Sequence, residues 1–386
     1  ITHTKHRPHD DVGYRSEDGL GFDTALTRLL TPRPRADAPT HPAARGATRP
    51  LTPLLPPPVE AYAGAVVDLA VVGCGLAGAL VVLRLADSPW LAGRRVAVID
   101  PRPLTGRHWC YWGPGSISAA DDATWDRLVV RDESGPINVS LQRNRYRSLS
   151  GDRLQDLLDA ALRRSEFLDL RGASVTNTGD DGHLTLANGH SMHAEQILDS
   201  RSARAPRGTA LLSFAGTTVA GPPGPVTLMD LTVDQPGNGV AFGYRVPRAS
   251  GTLVEIACFS SGPPDLDPEH ILRSWTGSTV PLTEQSAYPL QFTGPRRIGR
   301  RLLIGRRAGV LRAATGYATV PLARDAAAIV ASLERSGTAE PARPSALHRR
   351  LDQAFLRLLE TDPDTLNRAY GRMFRRCDPD TLLDFL

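Results

Sequence analysis

The sequence predicts an α/β protein in two parts, a mainly parallel sheet covered by helices and a mainly antiparallel β half. Three observations predict it. Residues 68–100 read as strand, glycine turn, helix and strand. From residue 211 the pattern changes to strand-like runs such as 227–234 (TLMDLTVD), 240–246 (VAFGYRV) and 252–259 (TLVEIACF). The chain then returns to a short apolar strand ending in glycine, 301–305 (RLLIG), with a helix over 321–334. Strands alternating with helices build parallel sheets, and successive short strands build antiparallel ones. A chain of 386 residues is long enough for two packed domains.

The first stretch carries the strongest chemical signal. Gly73-Cys74-Gly75-Leu76-Ala77-Gly78 supplies G-x-G-x-x-G between strand and helix. In that spacing Gly73 allows the tight turn, Gly75 lets a pyrophosphate approach the backbone, and Gly78 lets the helix pack on the strand. The helix N-terminus then directs N–H groups and the positive end of its dipole at the phosphates. Asp100 ends the second strand, where a carboxylate can hold a ribose hydroxyl, and Arg102 follows within reach of a phosphate or an adenine face. This is a Rossmann-type dinucleotide site; the alternative is an ordinary βαβ unit with a glycine-rich turn. Residues 66–86 are apolar enough to suggest a membrane span, but Asp68, Arg84 and three glycines in the first half fit a buried strand feeding a buried helix.

Composition bounds the rest. Hydrophobic content of 41% and charged content of 22% fit a soluble globular protein. The net charge of +4 is almost wholly arginine on the basic side, with Lys5 the one lysine, and no basic stripe with interleaved aromatics marks a nucleic-acid partner. Cys74, Cys110, Cys258 and Cys377 show neither metal-ligand nor disulfide-framework spacing, which fits a reducing cytoplasm and no metal. Residues 1–65, rich in Pro, Arg, His and Thr, are expected to form a disordered leader, with only 22–30 amphipathic. No methionine precedes Met192, which suggests a fragment or a start placed upstream of the true one.

In order, residues 108–112 (HWCYW) place His108, Trp109, Tyr111 and Trp112 beside the nucleotide, as a pocket wall or as a core-lining loop. Residues 125–146 read as strands, 152–164 as a surface helix, and 168–187 as a small antiparallel excursion turning at 179–182. Residues 196–201 (QILDSR) return to the parallel sheet, and 211 onward forms a floor of three or four antiparallel strands. The glycine-ended strand at 301–305 leads through Gly309 to Thr315-Gly316-Tyr317, and helices follow at 347–359 and 363–374. The expected organisation is a dinucleotide domain at 66–210, a β-sheet substrate domain at 211–295, and a return to the first domain with C-terminal helices at 296–386.

Several blocks are distinctive together: HWCYW at 108–112, YRSL at 146–149, ILDSR at 197–201, MDLTVDQ at 229–235, LVE at 253–255 and TGYA at 315–318. On these blocks the chain resembles the bacterial lycopene cyclase family, over about 68–385. The resemblance implies an α/β fold with a Rossmann-type FAD-binding domain of the aromatic hydroxylase and geranylgeranyl reductase type, carrying an inserted, mainly antiparallel β substrate domain. It implies a lycopene β-cyclase using reduced FAD, with NADPH as reductant, acting on lycopene or a related carotenoid as a peripheral protein at a membrane surface in the cytoplasm. Gly73, Gly75, Gly78, Asp100, Arg102, Gly305 and Gly309 are then the cofactor-binding residues. The sequence departs from the family pattern at Cys74 in the glycine turn, at Ala308 before Gly309, and at Thr218, where a carboxylate is usual.

Glu255, in the LVE block between apolar neighbours, is the expected general acid, because an apolar setting raises a carboxyl pKa. Asp230 and Asp234, four apart on one expected strand, would face the same way and either stabilise cations or satisfy arginines. His108, Trp109, Tyr111, Trp112, Glu284 and Tyr317 are expected in the substrate pocket. The rival readings are an FAD-dependent monooxygenase on an isoprenoid or aromatic substrate, and an inactive family member that binds flavin or carotenoid.

Overall fold

The computed structural model describes residues 64–386 apart from 202–205, 207, 221–223, 249–250, 278–280 and 293. The expected leader lies outside the described residues except for its last two positions. The chain opens with β1 (Val66–Val72), α1 (Leu76–Ala86) and β2 (Val96–Asp100). Five strands follow, β3 (His108–Gly113), β4 (Asp121–Trp125), β5 (Arg127–Asp132), β6 (Gly135–Ser140) and β7 (Arg145–Ser150). Next come α2 (Gly151–Leu162), β8 (Phe167–Arg171), β9 (Val175–Thr178), β10 (His183–Leu186) and β11 (Ser191–Asp199). The β half runs β12 (Leu211–Val219), β13 (Val226–Asp230), β14 (Gly239–Arg248), β15 (Gly251–Ser260), α3 (Pro268–Thr276) and β16 (Glu284–Pro289). The chain closes with β17 (Arg297–Ile298), β18 (Arg301–Leu303), α4 (Thr319–Ser336), α5 (Ala346–Thr361), α6 (Pro363–Arg376) and α7 (Pro379–Phe385).

One sheet has the order β17-β18-β11-β1-β2-β8, with the β9–β10 hairpin attached to β11. Its central strands pair in parallel. Every residue of β2 is buried, as a strand covered on both faces requires. One face packs on α1 and α4 through Leu69, Val71, Val98, Ala79 and Ile329. The 66–86 segment is thus a buried strand and a buried helix, and no helix among the described residues is long and apolar enough to cross a membrane. A second sheet, β16-β12-β15-β14-β13-β5-β6, is mainly antiparallel. A third, β3-β7-β4, has three strands.

Three expectations are corrected. Residues from 168 do not open an antiparallel excursion: β8 pairs in parallel with β2 as the edge of the first sheet, because Phe167, Leu168 and Leu170 are apolar on both sides of the strand and bury there. Only β9–β10 is the antiparallel hairpin. The β sheet has seven strands, since β5 and β6 join it from upstream, β5 lying parallel to β13. The strand at 227–234 stops at Asp230. Its carboxylate accepts from the Thr232 N–H at 3.1 Å and the Thr232 hydroxyl at 2.6 Å, which turns the chain. Gln235 then latches the loop, donating to the Leu231, Val233 and Ala241 carbonyls and accepting from the Ala241 N–H. The MDLTVDQ block is therefore largely a loop clamp, and Asp234 sits exposed on it.

The glycine turn is fixed by space. A Cβ on Gly78 would lie 2.2 Å from the Gly73 carbonyl oxygen, whereas one on Gly75 would meet nothing within 4 Å. Gly78→Ala is expected to lower stability by ~1–3 kcal/mol through this overlap, and Gly75→Ala to change it by less than ~1 kcal/mol. Denaturant unfolding of the two variants checks the contrast.

Candidate active site

Two regions meet across the molecule. The first is the glycine turn. Gly73 has φ +88°, and its carbonyl accepts from the Ser200 hydroxyl at 2.7 Å. The Asp100 carboxylate, buried at the end of β2, accepts the Cys74 N–H at 2.6 Å and the Arg102 N–H at 2.8 Å, so it closes over the tip of the turn. Gly75 opens onto free space at the N-terminus of α1. This matches the donor set of a dinucleotide pyrophosphate and ribose. Gly305 (φ +70°) brings the second turn against Ala77 and Ser200, and Gly309 (φ +68°) turns the chain beside Phe292. Buried Asp199 ties the two turns together, since Arg201 bonds it at 2.8 Å and Arg307 lies at 3.4 Å. That is the structural content of the ILDSR block.

Sequence reasoning missed Ser200 and Arg107. Burial and the nearby Arg102 guanidinium depress Arg107, while Asp100 opposes them, so arginine charge gathers beside the glycine turn. The spacing of Arg107 from Asp100 gives no hint of this, because the loop brings it back.

The second region lies on one face of the seven-stranded sheet. Glu255 on β15 stands directly opposite Tyr244 on β14 and Gly216 on β12, and Glu284 on β16 stands opposite Gly216 from the other side. Opposed residues share a face. Leu253, Ala257 and Phe259 on that face join the cluster that contains Tyr146 and Tyr244, whereas Val254, Ile256 and Cys258 face α3. Gly216 leaves room that the acid occupies: a Cβ there would lie 3.1 Å from the Glu255 Cβ. Burial pushes the Glu255 carboxyl up to about 8, Glu284 adds to the rise and Arg248 opposes it. Glu284, on the edge strand, is the more exposed of the two, and the protein around it also pushes its carboxyl up against the pull of Arg248.

Tyrosines surround this acid. The Tyr146 hydroxyl bonds the hydroxyl of Tyr244 and, at 2.6 Å, that of Tyr317. The Tyr317 ring meets Trp112 edge-on at 4.4 Å. Tyr288, in the same region, is pushed up to about 12 by burial and carries the Arg306 guanidinium 4.2 Å over its ring. A narrow apolar cavity adjoins Trp112 and Tyr317, lined also by Phe242, Phe259, Phe374 and Leu383.

The structure does not bring every expected residue here. Asp230 lies on the opposite face, accepting from the Trp275 indole at 3.2 Å, where Gly243 makes room for that ring. Asp234 is exposed on the loop. Neither shares the Glu255 face, because side chains alternate along a strand and β13 ends before Asp234. Tyr111 is fully buried on the nucleotide side, donating to Asp121 at 2.6 Å, and Trp109 packs in the same direction. Trp112 points the other way, toward Tyr317. His108 Nε2 lies 3.4 Å from Asp122, and burial with Arg248 lowers its pKa, which favours the neutral ring. Thr218 is exposed two positions beyond Gly216.

The family model for lycopene cyclase protein matches residues 68–386. The chain belongs to the lycopene cyclase family. No curated protein matches it. Among solved structures, this cyclase-family chain is similar to PqsL, a probable FAD-dependent monooxygenase from Pseudomonas aeruginosa. Identity is 13%, coverage 80% of this chain and 100% of that one, and the TM-score 0.54. It is also similar to a geranylgeranyl bacteriochlorophyll reductase-like protein from Thermoplasma acidophilum, with 13% identity, coverage of 83% and 90%, and a TM-score of 0.55. A third is p-nitrophenol 4-monooxygenase PnpA from Pseudomonas putida, with 15% identity, coverage of 83% and 92%, and a TM-score of 0.52. At these identities the likeness establishes the fold, which is that of this flavoprotein group.

The raised Glu255 carboxyl has a sign that can be tested. Its ordinary value is 4.5 and its folded value about 8, so between these the folded protein holds a proton that the unfolded chain has released. The associated stability is present in full below 4.5 and is lost as pH rises through about 8. Glu255→Gln is expected to flatten the fall in stability across that window. Urea unfolding at several pH values measures it, and equal slopes in both proteins contradict the assignment.

Proposed function

We propose that this family member cyclises the end groups of lycopene, or of a related carotenoid, to β-ionone-type rings without net redox change. The observation that supports this most directly is Glu255, an acid held protonated near neutral pH on an apolar sheet face beside linked tyrosines and Trp112. A carbocation offers no lone pair for recognition, so it is stabilised by π faces and fixed dipoles in a dry site. The Glu255 carboxyl adds its proton to a terminal carbon–carbon double bond. Positive charge develops on the neighbouring tertiary carbon, the next double bond closes a six-membered ring onto it, and loss of a ring proton leaves a neutral isomer. Trp112, Tyr146, Tyr244 and Tyr317 supply the π faces and hydroxyl dipoles. The lining beside Trp112 and Tyr317 is apolar, as a hydrocarbon substrate requires.

The cofactor we propose is FAD in its reduced form, with NADPH as the reductant. Gly73, Gly75, Gly78 and the N-terminus of α1 would hold its pyrophosphate, Asp100 its ribose and Arg102 and Arg107 its phosphate charge, with Gly305 and Gly309 forming the facing turn. When bound, the reduced flavin supplies an electron-rich face for positive charge. The shared fold fits a monooxygenase equally well; the family blocks and the protonated acid favour the cyclase. Asp230 we assign to holding the sheet and its loop rather than to the reaction.

Expression in a lycopene-accumulating bacterium is expected to yield ring-bearing carotenoids, and purified protein to show flavin absorbance. Glu255→Gln should keep the flavin and lose ~10²–10⁴ in cyclisation rate, while Asp230→Asn lowers the protein yield more than the rate per molecule. Unchanged lycopene from the wild-type gene sinks the cyclase reading. Near wild-type turnover by Glu255→Gln sinks the role of that residue alone.

Because lycopene is a hydrocarbon confined to bilayers, we also place the protein at a cytoplasmic membrane surface, held peripherally. Carbonate washing should release it from membranes, and retention in the washed pellet contradicts a peripheral attachment.

A further inference from the structure

The reaction begins with a proton given and ends with a proton taken, and Glu255 accounts for the first event. Across Gly216 stands a second carboxyl. Glu284 and Glu255 each pair in register with Gly216, so both lie on one face with a residue between them that has no side chain. Two strand spacings separate their backbones by roughly 10 Å. The Glu255 side chain already leans over that gap, since a Cβ on Gly216 would lie 3.2 Å from its Cγ. Two extended glutamates can therefore address one ring-sized group from either side. The carbon that gains a proton and the carbon that loses one flank the same ring atom, so donor and acceptor must lie within one ring's width.

The two carboxyls are not equivalent. Glu255 is half-buried on an inner strand beside Tyr244, while Glu284 is exposed on the edge strand. When two interacting carboxyls share a site, the more enclosed one keeps the proton and the more open one ionises. Arg248 acts on both as a counter-charge.

Resting on the cyclase reading above, we propose that Glu284 is the general base, the carboxylate that takes the ring proton and thereby fixes where the ring double bond forms. The C–H bond breaks, its electron pair becomes the double bond beside the former cationic carbon, and the proton passes to a Glu284 oxygen. Return of that proton across Gly216 to the Glu255 carboxylate resets the pair, with no external oxidant or reductant.

The test uses the intact protein in lycopene-accumulating cells. Glu284→Gln is isosteric on an exposed edge strand, so it should fold as wild type, which thermal unfolding checks. It is expected to cyclise ~10²–10⁴-fold more slowly, and to release part of its product with the ring double bond outside the polyene conjugation, read as a shorter-wavelength absorption band. Glu284→Asp should bring back the conjugated ring. Gln285→Ala, on the other face of the same strand, should match wild type. A Glu284→Gln enzyme giving the wild-type ring at the wild-type rate overturns the proposal. So does one that is slow with an unchanged product ratio that Glu284→Asp does not improve. Wild-type cells that contain no rings overturn the cyclase reading, and this role with it.

Discussion

The hydroxyl of Tyr146 is the point on which the candidate site depends. It bonds Tyr244 from the seven-stranded sheet and Tyr317 from the loop that precedes α4, while Tyr146 itself belongs to the three-stranded sheet. Three separately built pieces are thus joined by two hydroxyl contacts, the one to Tyr244 buried and the one to Tyr317 partly so. Tyr146 is wholly buried, so each hydroxyl needs a partner, and the partners are the other two rings. These contacts tie the seven-stranded sheet to the loop that leads into α4.

That arrangement explains why Glu255 is an unusual carboxyl. A strand glutamate beside an ordinary solvent-facing partner would ionise. Here the face it occupies is closed by Tyr244 and the aromatic cluster, and the strand beside it offers only Gly216. The glycine matters for what it omits: a side chain there would crowd the acid. The opposite face of the same strand is an ordinary core of Val254, Ile256 and Cys258 under α3. One strand therefore presents a packed apolar side and, on the other, the candidate acid, which period-two geometry makes possible.

The nucleotide half works by contrast through backbone. Its essential contacts are the Cys74 and Arg102 N–H groups on Asp100, the Ser200 hydroxyl on Gly73, and the near-contact of Gly78 with the Gly73 carbonyl. Asp199 repeats the device on the other side of β1, holding Arg201 and Arg307 so that the second glycine turn stays beside the first. Both turns depend on buried carboxylates whose bonds are internal to the sheet's C-terminal edge, the edge at which ligands bind in open α/β sheets.

Local sequence determined the elements whose requirements are local. The glycine turn, Asp100 at the end of β2, and the helices α2, α4, α5 and α6 follow from spacing and periodicity within one window, and they stand where that spacing puts them, with ends shifted by a few residues. Glu255 was legible as an acid between apolar neighbours. Tertiary structure decided whatever depends on residues far apart in the chain. That Asp230 and Glu255 face opposite ways follows from register, Asp230 standing opposite Gly243 and Gly243 opposite Ile256, a pairing not visible in a pattern of hydrophobicity. Strands β5 and β6 joined the β sheet because β13 offered a free edge, and β8 left its expected hairpin because β2 did. The meeting of Tyr146, Tyr244 and Tyr317, and of Glu255 with Glu284 across Gly216, is a matter of register between strands. Register is set by pairing over the whole sheet, so no single window of sequence contains it.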